Sequence, residues 1–599
     1  MNGSATAIGG RPDRYRWIAL SNTTLSMTMA TIDASIVIIA MPAIFRGIHL
    51  NPLDPGNISY LLWMIIGYLL VQSVCVVTLG RLGDMYGRVK IYNLGFVVFT
   101  LASIALSLDP LTGTDGAMWL IGWRFVQAFG GAMLMANSAA ILTDAFPADQ
   151  RGLALGLNMV AGIAGSFLGL VIGGVLAPID WRLVFLVSVP FSLFGTVWGY
   201  LRLRDLSPRR HHVMDWWGNL TFAAGLIAVL VAITYGIQPY GDHIMGWTNP
   251  WVMGSLVGGV ALLAAFCAIE TRVEHPMFHI DLFKIRAFSM GNLASLLAGL
   301  GRGGLMFILI IWLQGIWLPR HGYSFESTPL WAGIFMLPMT VGFLVAGPLS
   351  GWLSDRYGAR WFATGGMLIA AASFVWFAAL PVDFTYWMFA AALFANGFGM
   401  GLFASPNRAA IMNSLPANRR GVGGGMSTTF QNTSMVLSIG IFFSLMIAGL
   451  ASSLPATMQA GLAAHGVPAA QAHAVAALPP VSVLFASLLG YNPVQSLLGG
   501  HTLSQLPASD SSYLTGHTFF PSLISGPFHD GLVVAFAFAI GACLIAAVAS
   551  WLMGGKFVHA DDQHEVAIDF AQPEAGAPAD GAPVPDTEAG VPAPEGARS

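Results

Sequence analysis

About fourteen long apolar runs divide this chain of 599 residues. Hydrophobic residues make up 55% of the sequence and charged residues only 9%, whereas soluble proteins carry roughly 25% charged residues. A helix needs about 20 apolar residues to cross the roughly 30 Å of hydrocarbon in a bilayer. The strands of membrane β-barrels are much shorter and alternate in polarity. The sequence therefore predicts an all-α polytopic membrane protein.

Two short charged motifs each occur twice between apolar runs. The first covers residues 80–90 and returns at 351–360, with Gly, Leu, Asp, Tyr and Gly at matching positions. The second covers residues 147–152 and returns at 416–421. Positions 80 and 351 are 271 residues apart, and positions 147 and 416 are 269 apart. Such spacing indicates a duplicated membrane unit.

The pattern Gly-x-Leu-x-Asp-x-x-Gly-Arg that begins at Gly80 resembles the loop motif between the second and third helices of the major facilitator superfamily, whose members are secondary transporters. The resemblance implies two six-helix bundles that open alternately to each side of the membrane. It also implies a conformational latch on the cytoplasmic side, with a degenerate copy in the second half. A generic charged turn is the alternative, but the motif's recurrence argues against it. The predicted latch residues are Gly80, Asp84, Gly87, Arg88, Asp355 and Arg360.

The apolar runs divide as six, two and six. The first bundle is predicted over residues 17–202, the two additional helices over 203–286 and the second bundle over 287–555. Residues 1–16 form a short polar N-terminus. The tail 556–599 is acidic and rich in Pro, Ala and Gly, and this composition predicts disorder.

The positions of the basic residues predict the orientation. Of 26 Lys and Arg residues, three fall in predicted outer loops and three lie within apolar runs, which leaves 20 on the other side. The positive-inside rule assigns that side, with both termini, to the cytoplasm of a cell membrane. The three basic residues within apolar runs are Arg124, Arg302 and Arg408.

Residues 450–529 form an unusually long predicted external loop. Its apolar patch at 481–489 has nine residues, too few to cross a bilayer. We expect the patch to lie on the membrane surface or to cap the bundle. An inert insertion and a role in gating or in docking an envelope partner are both open.

Asp33 is the one carboxylate well inside a predicted span. A charged Asp at the bilayer centre costs about 2.5–3.5 kcal/mol on insertion scales, so it should face a cavity or a partner. The segment 33–42, which ends in Pro42, resembles the first-helix motif of fourteen-helix drug:proton antiporters. That resemblance implies a role in proton coupling. A silent carboxylate that packs between helices is the alternative.

Arg124 is the expected partner of Asp33. The segment 123–131 resembles the fourth-helix motif of the superfamily, with Arg124 and Gln127 on one helix face. In related antiporters this Arg is implicated in proton coupling. The alternative is a structural Arg that satisfies backbone carbonyl groups.

Arg302 is an intramembrane cation in the first helix of the second half. The flanking Gly301 and Gly303 allow close backbone approach, which suits a substrate-facing position. Arg302 could bind an anionic group or balance Asp33, and a structural or snorkelling Arg is the alternative.

The fifth helix carries glycines at helix-packing spacing, Gly165, Gly169, Gly173 and Gly174. They resemble the glycine-rich antiporter motif, but Leu170 stands where that motif usually has Pro.

These features predict a monomeric, proton-coupled transporter that exports hydrophobic or amphiphilic compounds, with cationic drugs as the expected class. Its expected partners are the substrate, protons and membrane lipids. No motif for an enzyme, a cofactor, a metal site or nucleic-acid binding is found in the sequence. Export of a lipid or lipid precursor is the first alternative, and a non-transporting membrane sensor or scaffold is the second.

Overall fold

The computed structural model describes residues 12–51, 54, 56–147, 150–206, 215–273, 276, 278–416 and 419–554. The predicted disordered tail, most of the N-terminal segment 1–16 and the basic linker at 207–214 lie outside these residues.

Fourteen helices in the described part of the chain are long and apolar enough to cross a membrane, which confirms the predicted number. They are α1 (Arg14–Gly47), α2 (Asn57–Tyr86), α3 (Arg88–Ser107), α4 (Gly113–Ala145), α5 (Ala154–Leu176), α6 (Leu183–Arg202), α7 (Trp216–Gly236), α8 (Pro250–Glu270), α9 (Arg286–Arg320), α10 (Thr328–Ser354), α11 (Ala359–Ala379), α12 (Tyr386–Asn413), α13 (Val422–Ala464) and α14 (Phe519–Leu552).

The repeated motif forms the same tight turn in both halves. Gly87 joins α2 to α3 with a φ of 112°, and Gly358 joins α10 to α11 with a φ of 89°. Glycine adopts such positive φ values without the steric cost that a side chain brings. We name the end of the molecule with these turns the inner face and the opposite end the outer face.

The helix crossings next to these turns are also repeated. A Cβ atom placed on Gly95 of α3 would lie 3.0 Å from the carbonyl oxygen of Gly130 on α4. In the second half, a Cβ on Gly366 of α11 would lie 2.5 Å from the carbonyl oxygen of Gly399 on α12. Both pairs allow the backbones to approach closely. The duplication predicted from two loop motifs therefore extends into the helix packing.

The glycines of α5 lie against α1 on both sides of Asp33. A Cβ on Gly165 would lie 2.7 Å from the carbonyl oxygen of Thr28, and one on Gly169 would lie 2.5 Å from that of Ile32. Gly173 continues this contact against Ile36 and Ile39 of α1.

Gly174 faces the second half instead. A Cβ on it would lie 2.4 Å from the Cα atom of Leu330, near the start of α10. Leu170, which replaces the expected Pro, is fully buried and lies against Gly333 of the same helix. α5 therefore connects the helix that carries Asp33 to the interface between the halves.

The segment predicted as an external loop is largely helical. α13 extends to Ala464 and α14 begins at Phe519, so both helices run well past the expected limits of the loop at 450 and 529. Four short helices lie between them, Ala469–Ala476, Pro480–Leu489, Pro493–Gln505 and Ala508–Thr515. These helices were not predicted because each apolar stretch in this segment is shorter than a membrane span.

We expect Gly169→Ala to destabilise the protein, because the new Cβ would lie 2.1 Å from the Ser35 Oγ atom and close to backbone that cannot move away. Overpacking of this kind typically costs about 1–3 kcal/mol. Gly156→Ala on the same helix is the control, since no atom lies within 4 Å of its Cβ and helix propensity changes equally. Thermal unfolding in detergent should separate the two variants, and equal melting temperatures would contradict this packing.

Candidate functional site

Asp33 and Arg124 form a buried ion pair between α1 and α4. The Arg124 Nη1 atom lies 2.6 Å from the Asp33 Oδ2 atom, and the two side chains are 2% and 0% exposed. Removing one partner of a buried pair typically costs about 3–5 kcal/mol, because the other charge stays buried without a partner. The pair predicted from the sequence is therefore present in the structure.

Gln127 closes a network around this pair. Its Nε2 atom donates hydrogen bonds to the Asp33 Oδ1 atom at 2.8 Å and to the Ser103 Oγ atom at 2.9 Å. Its Oε1 atom accepts one from the Arg124 Nη1 atom at 2.8 Å. The Arg124 guanidinium also lies 4.1 Å from the ring centroid of Tyr68, a cation–π contact. Both oxygens of Asp33 thus have buried partners.

The network is suited to respond to a proton. An ionised carboxylate only accepts hydrogen bonds, whereas a protonated one has an O–H donor. A protonated carboxyl group still accepts hydrogen bonds but carries no charge, so its interaction with the Arg124 guanidinium loses the charge–charge attraction. A proton on this carboxylate therefore weakens the contact between α1 and α4.

The second half repeats part of this network without its acid. The Asn396 Nδ2 atom donates to the Ser373 Oγ atom at 2.9 Å, as Gln127 does to Ser103. Positions 127 and 396 are 269 residues apart, and positions 103 and 373 are 270 apart. Asn396 is therefore the counterpart of Gln127.

Arg302 lines a cavity between the two halves. Its guanidinium lies 5.4 Å from the ring centroid of Phe343, and it has no hydrogen-bond or ion-pair partner among the described residues. The cavity is narrow in this conformation, with about 10 Å³, the space of one water molecule. Asp33 is paired with Arg124, so Arg302 does not balance it in this structure. The lining residues are Ile163, Phe167, Arg302, Met339, Phe343, Asn396, Gly397 and Met400.

At the inner face, Arg88 binds two carboxylates of the first half. Its Nε atom lies 2.8 Å from the Asp84 Oδ1 atom, and its Nη1 atom lies 2.7 Å from the Asp144 Oδ1 atom. The Asp205 Oδ1 atom accepts a hydrogen bond from the Val89 backbone at 2.8 Å. The carboxylate that accepts a hydrogen bond from the first turn of α3 therefore belongs to Asp205 and not to Asp84 of the loop motif.

The degenerate copy in the second half shares this backbone arrangement. A Cβ on Gly80 or on Gly351 would meet a single neighbour, at 3.7 Å, on Ala136 and Ser405 respectively. Arg360 lies over the ring of Trp551, 3.4 Å from its centroid. The predicted partner of Arg360 is Asp355, whose side chain lies outside the described residues.

Three residues of these clusters were missed by sequence reasoning. Asp144 and Asp205 lie near helix ends and belong to neither motif quoted above, although each follows a long apolar run at the inner face. Ser103 lies within an apolar run, where the sequence shows no sign of its contact with Gln127.

A bent helix pair covers the outer face. The helices Ala469–Ala476 and Pro480–Leu489, here named the outer hairpin, meet at a bend of 86°. All ten residues of the second helix are buried. The Ser487 Oγ atom donates to the carbonyl oxygen of Gly315 at 2.8 Å, within a π-helical segment of α9. The apolar patch was expected either on the membrane surface or as a cap on the bundle, and in the structure it caps the bundle.

The family model for the Major Facilitator Superfamily matches residues 23–316 and 214–439. The chain belongs to this superfamily. It is 30% identical over 452 residues to the methyl viologen resistance protein SmvA of Salmonella typhimurium, across 74% of this chain and 86% of the relative. It is 28% identical over 443 residues to the riboflavin transporter RibZ of Clostridioides difficile, across 73% and 90%. It is 24% identical over 557 residues to the multidrug transporter protein MdtP of Bacillus subtilis, across 92% and 96%.

A solved structure of this fold supports the assignment. The bacterial homologue of the human lysosomal transporter Spinster, in an inward-facing and unoccupied conformation, aligns with a TM-score of 0.54 and 16% identity, across 91% of this chain and 98% of that one. Membership in the major facilitator superfamily confirms the predicted all-helical fold. It also confirms the expectation of a multi-pass membrane transporter that is not an enzyme.

Proposed function

We propose that this protein is a proton-coupled exporter of hydrophobic or amphiphilic small molecules and works by alternating access. The observation that carries the proposal is the buried network of Asp33, Arg124 and Gln127, which contains the most deeply buried ion pair in the described part of the chain. Relatives named for resistance to methyl viologen and for multidrug transport support export of foreign compounds. A cell-membrane location with both termini in the cytoplasm is part of this proposal.

Protonation of Asp33 starts the conformational change in this mechanism. When Asp33 is neutral, Arg124 loses its counter-charge and the contact between α1 and α4 weakens. α1 also packs on the glycines of α5, and α5 meets the second half at Gly174 and Leu330. The proton-loaded and substrate-loaded forms therefore favour different arrangements of the halves, which is the condition for exchange.

The proton gradient supplies enough energy for this exchange. One charge that crosses 100 mV releases about 2.3 kcal/mol. Where transport moves one net charge per substrate, this corresponds to a concentration ratio of roughly fifty-fold before any pH difference is added.

The cluster at the inner face is proposed as the conformational latch. Arg88 holds Asp84 and Asp144 together in the conformation described here. The three side chains are 22%, 36% and 23% exposed, so solvent screens their interaction. A partly screened cluster can hold one conformation and still release it within a transport cycle.

The outer hairpin is proposed as the seal of the external exit. Phe485 lies between Phe307 of α9 and Phe443 of α13, at centroid distances of 6.5 Å and 5.4 Å. Gly490 at the hairpin's end contacts Phe325, over which Arg46 of α1 lies at 5.7 Å. The hairpin therefore contacts α9 and α13 of the second half and also α1 of the first half, so opening the exit requires it to move. An envelope partner for this region stays a prediction.

Cationic substrates stay a prediction as well. Asp33 is the counter-charge that the sequence offers for a cation, and in this conformation it is occupied by Arg124. A cationic substrate would have to bind in a conformation in which that pair is open.

Proteoliposomes test the proposed exchange. We expect wild-type protein to move riboflavin or a cationic rhodamine ester when a proton gradient is imposed, and to stop when the gradient is collapsed. Asp33→Asn should lose gradient-driven transport, because the amide cannot carry the coupled proton. Asp242→Asn is the control, since this carboxylate is exposed in an outer loop. Gradient-driven flux in Asp33→Asn would contradict the proposed coupling, and intact wild type without flux would favour a sensor or scaffold.

A disulfide cross-link tests the outer seal. A Cβ on Gly315 would lie 2.8 Å from the Ser487 Oγ atom, so cysteines at both positions should form a disulfide on oxidation. In a background without Cys75, Cys267 and Cys543, we expect oxidation of this double variant to stop transport and reduction to restore it. Each single cysteine variant is the control. Unchanged transport in the fully oxidised protein, with the disulfide verified by mass spectrometry, would exclude the seal.

A further inference from the structure

Two arginines of the second half lie inside membrane helices without a counter-charge. Arg302 on α9 and Arg408 on α12 are each partly accessible, and neither has an ion-pair or hydrogen-bond partner among the described residues. A guanidinium at membrane depth is unfavourable unless a counter-charge, a polar partner or water accompanies it. Both positions therefore have the capacity to bind an anion.

α5 separates Arg302 from the acid of the first half. The glycines of α5 lie against α1 next to Asp33, whereas Ile163 and Phe167 of the same helix line the cavity of Arg302. Asp33 is also held by Arg124 at 2.6 Å. The positive charge of Arg302 is therefore not neutralised from the first half.

The repeat shows that this charge is specific to the second half. Asn396 occupies the place of Gln127 and keeps its hydrogen bond to a serine. The position 270 residues after Asp33 is Gly303, and its neighbour is Arg302. The two half-sites therefore have similar polar positions but opposite charge on their first helix.

Arg408 places a second cation nearer the inner face. The neighbouring Asn407 donates hydrogen bonds to the Gly291 carbonyl oxygen at 3.2 Å and to the Ser295 Oγ atom at 2.7 Å. Residues 291–295 precede Arg302 on α9 by about two to three turns, or roughly 14 Å at 1.5 Å per residue. The two arginines are thus spaced along the direction from the inner face to the cavity.

We propose that the cavity between the halves binds the anionic headgroup of an amphiphile, such as a carboxylate, sulfonate or phosphate. Arg302 contacts the anion, Asn396 is the second polar group beside it, and Arg408 attracts the headgroup from the inner face. In this conformation the cavity has room for about one water molecule, roughly 10 Å³, so the halves must separate around Arg302 to admit the headgroup. Phe167 and Phe343 supply apolar contacts. This inference rests on the proposed export function and names its substrate class.

A matched pair of dyes tests the charge preference. Sulforhodamine and the cationic rhodamine ester share an aromatic core and differ in charge. In proteoliposomes under the same proton gradient, we expect wild type to transport sulforhodamine and Arg302→Gln to do so about tenfold more slowly, the effect of losing one charge-assisted hydrogen bond. Arg302→Lys should recover part of the rate because it keeps the charge.

Arg286→Gln is the control on the same helix, because Arg286 is exposed at the inner end of α9. A single symmetric size-exclusion peak and a wild-type melting temperature show that Arg302→Gln is folded, and Arg302→Lys serves the same comparison if Arg302→Gln is unstable. Wild type that moves riboflavin or the cationic dye but no anionic probe would overturn this inference and leave the export proposal standing. Sulforhodamine transport that is equal in wild type and Arg302→Gln would also overturn it. No flux of any probe would contradict the export proposal itself.

A fluorescent phosphatidylglycerol identifies the source of the anion. If wild type but not Arg302→Gln moves this lipid between leaflets, and the lipid slows sulforhodamine transport, the natural headgroup belongs to a lipid. If sulforhodamine alone is moved, the ligand is a free amphiphile. Both results support the anion site.

Discussion

The structure depends on a single ion pair in a place where water cannot screen charge. Asp33 and Arg124 come from helices α1 and α4 and are completed by Gln127. In hydrocarbon neither charge is stable alone, so α1 and α4 are held together for as long as Asp33 is ionised. The glycine contacts of α5 then tie α1 to the second half at Gly174. A change of one proton is thereby connected to the interface between the halves.

The two halves share a backbone plan and differ in charge. The turns at Gly87 and Gly358 and the repeated helix crossings give the same scaffold twice. In the first half this scaffold carries an acid and a base that neutralise each other. In the second half it places Arg302 in a cavity whose lining residues include no acid. Under the two proposals, proton binding in the first half and ligand binding in the second avoid direct competition for one side chain. Coupling would then pass through the conformational change.

The sequence was sufficient for the features that the bilayer imposes. Long apolar runs predicted fourteen helices, and the few charges inside them pointed to Asp33, Arg124 and Arg302. Gln127 was predicted from the resemblance to the fourth-helix motif. The outer hairpin was not predicted as helical because its short helices lie outside the strict length requirement of a span. Asp144 and Asp205 were missed because distant segments bring them to Arg88 and to the first turn of α3. Pairing across the fold depends on packing, which local patterns do not encode.

The central claim is that Asp33 carries the coupled proton, and a proton titration of the purified protein tests it without a substrate. Proton uptake by wild type and by Asp33→Asn would be compared between mildly alkaline and mildly acidic pH. The other ionisable groups are common to both proteins, so the difference reports Asp33 and the groups coupled to it. The account predicts that wild type takes up about one more proton per molecule. Superimposable titration curves would contradict it, because Asp33 would then keep its charge throughout the transport cycle.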